Sequence, residues 1–116
     1  MAYAHLHLHT HYSLLDGANK VSALMSKVSG LDMPAVAITD HGNMFGVIDF
    51  YRSAVSQGVK PIIGCEVYVA PGSRKDRSQH VVGDYERGGN DHLILLASND
   101  TGYRNLSRMV TQSYRD

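Results

Sequence analysis

Polar and apolar residues alternate strictly over residues 3–9, with His5, His7 and His9 on one side and Ala4, Leu6 and Leu8 on the other. A period of two predicts a strand. Residues 18–29 switch to helical spacing through Val21, Leu24, Met25 and Val28. Asn19 is the expected N-cap there and Gly30 the expected C-cap. The apolar run from Ala35 to Thr39 follows Pro34 and predicts a buried strand. Asp40, His41, Gly42 and Asn43 then read as a loop. Val47, Ile48, Tyr51 and Val55 predict a second helix over 44–57, ended by Gly58. Residues 61–69 read as a third strand, 71–91 as a long polar loop, and 92–97 as a fourth strand. A last helix, capped by Asn99 or Asp100, runs to about Tyr114.

Strands alternating with helices predict an α/β fold with a parallel sheet and crossover helices. Four strands are few for a closed barrel, and the sequence stops directly after a helix. The expectation is the first part of a larger barrel: one truncated domain over 1–116, with no second domain. The inward positions Ala37, Ile62 and Gly64 would then be exposed, and the chain is expected to self-associate.

Composition narrows the function. With 43% hydrophobic residues among 116, the chain can bury a core. Eleven basic residues balance eleven acidic ones, so any nucleic-acid contact must be a local patch. Arg74, Lys75 and Arg77 form a small basic cluster that could supply one, although a solvated surface turn is the commoner reading of such a cluster. The single cysteine, Cys65, excludes an internal disulfide framework and reads as core packing. No apolar stretch is long enough to span a membrane, and residues 1–5 lack the pattern of a signal peptide. A cytoplasmic location follows as the expectation. The departure from average is histidine: seven in all, four of them between His5 and His11.

Residues two apart on a strand lie about 6.6 Å apart on one face. Two imidazoles so placed can lean onto one metal. An exposed edge strand would also tolerate them, but three histidines backed by alanine and leucine favour metal. Asp16 lies in the following turn beside Gly17, and His41 follows the buried strand directly. Glu66 interrupts the apolar run from Ile62 to Val67. A carboxylate inside a buried strand must be paired or bound to metal. His92 begins its strand rather than ending it, so the rule that chemistry sits at strand C-terminal ends does not select it. His5, His11 and His80 are weaker candidates. Histidines mixed with Asp and Glu suit zinc, manganese or iron in a hydrolytic site. There is no Gly-rich phosphate loop and no Ser or Cys nucleophile in a recognisable setting.

The stretch 5–18, with His5, His7, His9, Ser13, Asp16 and Gly17, resembles the opening motif of the PHP (polymerase and histidinol phosphatase) domain. In particular it resembles the PHP domain at the N-terminus of family C bacterial DNA polymerases, the DNA polymerase III alpha subunits. The stretches 37–46 around Asp40 and His41, and 61–72 around Gly64, Cys65 and Glu66, resemble its next two motifs. Residues 92–97 and 102–106 resemble the fourth. Histidinol phosphatases share the His-x-His pattern but not the segments 64–71 and 102–106, so a stand-alone phosphoesterase is the weaker reading.

The resemblance implies a distorted (β/α)7 barrel with up to three divalent metals at its mouth. It implies His7, His9, Asp16, His41, Glu66 and His92 as ligands, and so supplies His92, which spacing alone did not. It also implies DNA polymerase activity in the parent protein and metal-dependent 3′–5′ exonuclease proofreading in the intact domain. The alternative it leaves open is a structural module that docks a separate exonuclease. DNA and replisome subunits, such as an exonuclease subunit and a sliding clamp, are the implied partners. Further ligands of the family would lie beyond residue 116, so the chain alone is expected to be inactive.

Overall fold

The structure, a computed structural model, describes residues 3–70, 72–75 and 91–115. His80, Arg77 and most of the expected polar loop lie outside these residues. Helix α1 (Val21–Gly30) leads to strand β1 (Ala35–Ile38), helix α2 (Val47–Ser56) and strand β2 (Lys60–Val69). Strand β3 (Asp91–Leu96) and helix α3 (Asp100–Arg115) follow. The sheet has the order β1-β2-β3. Among the described residues no helix is long and apolar enough to cross a membrane.

One core cluster joins Val21, Met25 and Val28 of α1, Val36 and Ile38 of β1, and Val47, Phe50 and Ala54 of α2. Ile63 packs against it, and Ile38 pairs with Ile63 across β1 and β2. Because faces alternate along a strand, Val36, Ile38, Ile63 and Cys65 turn toward the helices. Ala37, Ile62, Gly64, Glu66 and Tyr68 turn the other way. That second face carries the chemistry.

Two expectations change here. Residues 3–9 do not form a continuous strand. They run beside β1, with Ala37 N–H donating to His5 O (2.8 Å) and Thr39 N–H to Leu8 O (2.9 Å). Between these bonds the chain bends, and Leu6 is exposed rather than buried. This segment pairs along the edge of β1, and Ala37 is fully buried, contrary to expectation. Gly64 is buried as well, and the register pairs it with Leu96.

The second change concerns the sheet. β1 and β2 are parallel, as expected, but β3 runs antiparallel to β2. β3 lies beside β2 with reversed direction, so the parallel crossover expected from the alternation does not hold for this pair. The N-terminal end of β3 therefore meets the C-terminal end of β2, with His92 opposite Tyr68.

Local ends also differ. Asn19 does not cap α1, whose N-cap is Lys20. Its amide instead donates to His9 O (2.8 Å), and its carbonyl accepts from His11 N–H (3.0 Å). Asn19 therefore ties the histidine segment to the start of α1. At α3 the reading holds, because Asn99 Oδ1 accepts from Gly102 N–H at 2.9 Å.

Candidate metal centre

Glu66 stands at the centre of the polar face. Its side chain is only 3% exposed, inside a strand. One carboxylate oxygen, Oε2, lies 2.7 Å from His7 Nε2 and 2.7 Å from His9 Nε2. The other, Oε1, lies 2.5 Å from His92 Nδ1 and 3.6 Å from His41 Nδ1. Asp16 extends the cluster: its Oδ2 is 2.8 Å from His41 Nε2 and 3.1 Å from His9 Nδ1. All six candidates from the sequence thus converge. His5 does not join them; its Nδ1 pairs with the Tyr3 hydroxyl at 3.4 Å. His11 instead reaches Asn19 O.

Three overlapping groups offer ligand atoms within 4.8 Å of one another: His7, His9 and Glu66; His9, Asp16 and His41; and His41, Glu66 and His92. In the first, the atoms form a triangle with sides of 2.7, 2.7 and 3.2 Å. Donors held at the usual zinc bond lengths in a tetrahedron are separated by roughly 3.3 Å, so this triangle is nearly such a coordination edge set. His9 points its two nitrogens at two carboxylates, which only accept hydrogen bonds. Protons can satisfy both contacts only if both nitrogens carry one. A cation on either side removes that demand, so the donor set fits divalent metal.

The electrostatics agree. Burial pushes the Glu66 carboxyl up, but hydrogen bonds from His9, His7 and His92 and the charge of His41 outweigh it. They hold it at about 2. Desolvation also raises Asp16, and its contacts with His41 and His9 overcome this and leave it below its usual value. Both carboxylates are therefore ionised at neutral pH. Cys65, on the opposite face, is fully buried, as expected of a core residue. Burial and then the Asp40 charge push its thiol up to about 11.

Sequence reasoning passed over the groups that hold this cluster. Asp40 is 1% exposed. Its carboxylate accepts from Thr10 N–H (2.6 Å), the Thr10 hydroxyl (2.8 Å) and the Ser13 hydroxyl (3.3 Å). Ser13 Oγ in turn accepts from His41 N–H at 2.9 Å, and Ser13 O accepts from Gly17 N–H at 2.7 Å. Asp40 thereby fixes the turn carrying Asp16 to the strand end carrying His41. The desolvation argument that selected Glu66 applies equally to Asp40, beside an apolar run. Tyr68 was missed too. It shares the face of Glu66, two residues on, and its hydroxyl lies 3.2 Å from His41 Nδ1. Burial, then the charges of Glu66 and Asp16, push its phenol up and keep it protonated.

Two glycines permit this packing. Gly42 adopts φ +59°, and its N–H donates to Glu66 O at 2.8 Å. A Cβ on Gly17 would lie 1.8 Å from Thr10 O, so only glycine allows the turn to close. Beyond Tyr68 a groove of about 1160 Å³ runs between the sheet and α3, lined by Gly42, Tyr68, Leu93, Arg74 and Tyr114.

Comparison with known proteins agrees with the motifs. The PHP domain family profile matches residues 5–116. The DNA polymerase III subunit alpha of Treponema pallidum is 49% identical over 114 residues, covering 98% of this chain and 9% of that protein. Its counterpart in Thermus aquaticus is 50% identical over 116 residues, covering 98% and 9%. The Mycobacterium tuberculosis subunit is 48% identical over 120 residues, covering 97% and 10%. The chain thus spans about a tenth of the length of these curated relatives. Among solved structures, an amidohydrolase from Chromobacterium violaceum is similar in fold, with TM-score 0.61 and 20% identity, covering 92% of this chain and 33% of that one. A protein from Bifidobacterium adolescentis described as a metal-dependent phosphoesterase gives TM-score 0.55 and 19% identity, covering 90% and 31%. Both support a partial barrel as the fold. The chain belongs to the PHP domain family, in the form carried by DNA polymerase III alpha subunits.

Proposed function

We propose that this chain is the N-terminal part of the PHP domain of a DNA-directed DNA polymerase, and that the domain hydrolyses phosphodiester bonds at DNA 3′ ends. His7, His9, Asp16, His41, Glu66 and His92 are the proposed ligands of up to three divalent metals, drawn from zinc, manganese and iron. The observation that carries this reading is the shared Glu66 carboxylate, contacted by His7, His9 and His92 and belonging to two of the three donor groups. Bound metal would lower the pKa of a water and polarise the phosphoester. The chain's own part is to hold the ligands. Asp40 fixes the Asp16 turn, and β2 and β3 present Glu66 and His92 side by side. Arg74 and Lys75 are exposed, and Arg74 lines the groove that adjoins Tyr68. With Arg77, they are proposed contacts to the DNA backbone. The parent protein would work in the cytoplasm with other replisome subunits, among them an exonuclease subunit and a sliding clamp.

A structural role is the second reading. Among the described residues every buried side-chain nitrogen and oxygen already has a partner, so the cluster can serve as a self-satisfied polar core. One experiment separates the two. The full-length protein and its Glu66→Gln and His9→Ala variants are assayed for bound metal, release of 3′-labelled nucleotides and DNA synthesis. The nuclease reading expects wild-type release that depends on metal and disappears in both variants while synthesis persists. Metal binding without any release supports the structural reading, and wild-type protein that takes up no metal refutes both metal roles.

A further inference from the structure

We propose that the Tyr68 hydroxyl decides which nitrogen His41 presents to the metal centre, holding Nε2 for the group formed with His9 and Asp16. The inference rests on the metal reading above and adds a positioning residue to it.

Two of the three donor groups claim His41. Its Nε2 faces Asp16 Oδ2 at 2.8 Å. Its Nδ1 faces the Tyr68 hydroxyl at 3.2 Å and Glu66 Oε1 at 3.6 Å. A neutral imidazole has one lone pair to give, and the hydrogen bond at the other nitrogen sets which one it is. Glu66 Oε1 is already engaged by His92 Nδ1 at 2.5 Å, and 3.6 Å exceeds a hydrogen bond. Tyr68 is therefore the partner of Nδ1.

A hydroxyl suits this position because it both donates and accepts. The Tyr68 O–H can donate to a bare Nδ1, across the 3.2 Å contact. With Nε2 given to a cation, Nδ1–H donates to the Tyr68 oxygen. A carboxylate at this place would accept only, and could not serve a bare Nδ1.

The ring is held in position to do this. It lies nearly parallel to His41, at 10° and 6.0 Å between centroids, and meets His92 edge-on at 86° and 4.9 Å. Gly42 sits beneath it; a Cβ there would contact Tyr68 Cε2 at 3.5 Å. The period of β2 places Glu66 and Tyr68 on one face, so one strand supplies both the shared carboxylate and the phenol.

Full-length protein is titrated with Co(II) under chelator competition, following the visible absorption bands, for wild type, Tyr68→Phe and Tyr68→Leu. Tyr68→Phe removes one oxygen from a half-exposed side chain. The expected result is that one Co(II) equivalent binds roughly 10–100-fold more weakly in Tyr68→Phe and its absorption bands change, as loss of the outer partner of a ligating histidine does. The remaining equivalents keep their affinity. If Tyr68→Phe matches wild type and only Tyr68→Leu weakens binding, the ring packs but the hydroxyl does not position His41, and the proposal is overturned. Wild-type protein that takes up no Co(II) overturns the metal reading and this proposal with it.

Discussion

Truncating Asp40 should cost more than any change at the exposed rim of the site. The carboxylate is 1% exposed and accepts three hydrogen bonds, from Thr10 N–H, Thr10 Oγ1 and Ser13 Oγ. Hydrogen bonds to a buried charge contribute roughly 1.5–3 kcal/mol each, and the 3.3 Å Ser13 bond belongs at the weak end. Asp40→Ala should therefore destabilise the chain by about 3–6 kcal/mol, allowing for water entering the space. A chain of this size has a total stability of about 6–17 kcal/mol, so the loss is a large fraction of it. Asp40→Asn keeps an acceptor for Thr10 N–H and offers an amide to the Thr10 hydroxyl. It loses only the charge reinforcement and should cost about 1–2 kcal/mol. Urea unfolding followed by far-ultraviolet circular dichroism measures both, provided the slope m stays constant. Asn as damaging as Ala, or an Ala variant within about 1 kcal/mol of wild type, would show that Asp40 does not staple the turn.

Three further outcomes follow from the same geometry. Gly17→Ala places a Cβ 1.8 Å from Thr10 O; the turn must open, and metal analysis should show loss at the group containing Asp16 while Glu66 and its histidines keep theirs. Glu66 is lowered from 4.5 to about 2, so in metal-free protein its stabilisation is complete above pH 4.5 and vanishes as pH falls through about 2. Acid unfolding curves of wild type and Glu66→Gln should converge across that window, and parallel curves would refute the shift. The 116-residue chain should self-associate through the exposed Tyr68, Val69, Leu93 and Leu96 at the β2–β3 edge; light scattering from a monodisperse monomer at micromolar concentration would exclude it.

The two halves of the site differed in how they could be read. Glu66 was legible because a carboxylate within Ile62–Val67 violates the pattern around it, and burial makes that violation expensive. His7 and His9 were legible because period two puts them on one face, although the segment is bent rather than a regular strand. His92 was not legible from spacing, because strands alternating with helices imply a parallel sheet. In that geometry the start of a strand lies at the wrong end of the barrel. Strand direction is set by how the chain returns, and the connection before β3 carries no periodicity that fixes it.

The resemblance supplied His92 without that geometry, and the antiparallel pairing gives its physical reason. Tyr68 opposite His92, with Glu66 two residues back, makes a diagonal cross-strand contact of the kind that long side chains reach. The same pairing makes β3 a distinct device: it turns a shared carboxylate in the centre of a sheet into a point reached from both sides. From one side come His7 and His9, carried by the segment beside β1. From the other comes His92, on the edge strand. A strand crossing over in parallel would have sent its first residue to the opposite end, leaving Glu66 Oε1 without its 2.5 Å partner. The polarity of one edge strand, more than any single motif, is what brings the sixth donor to the cluster.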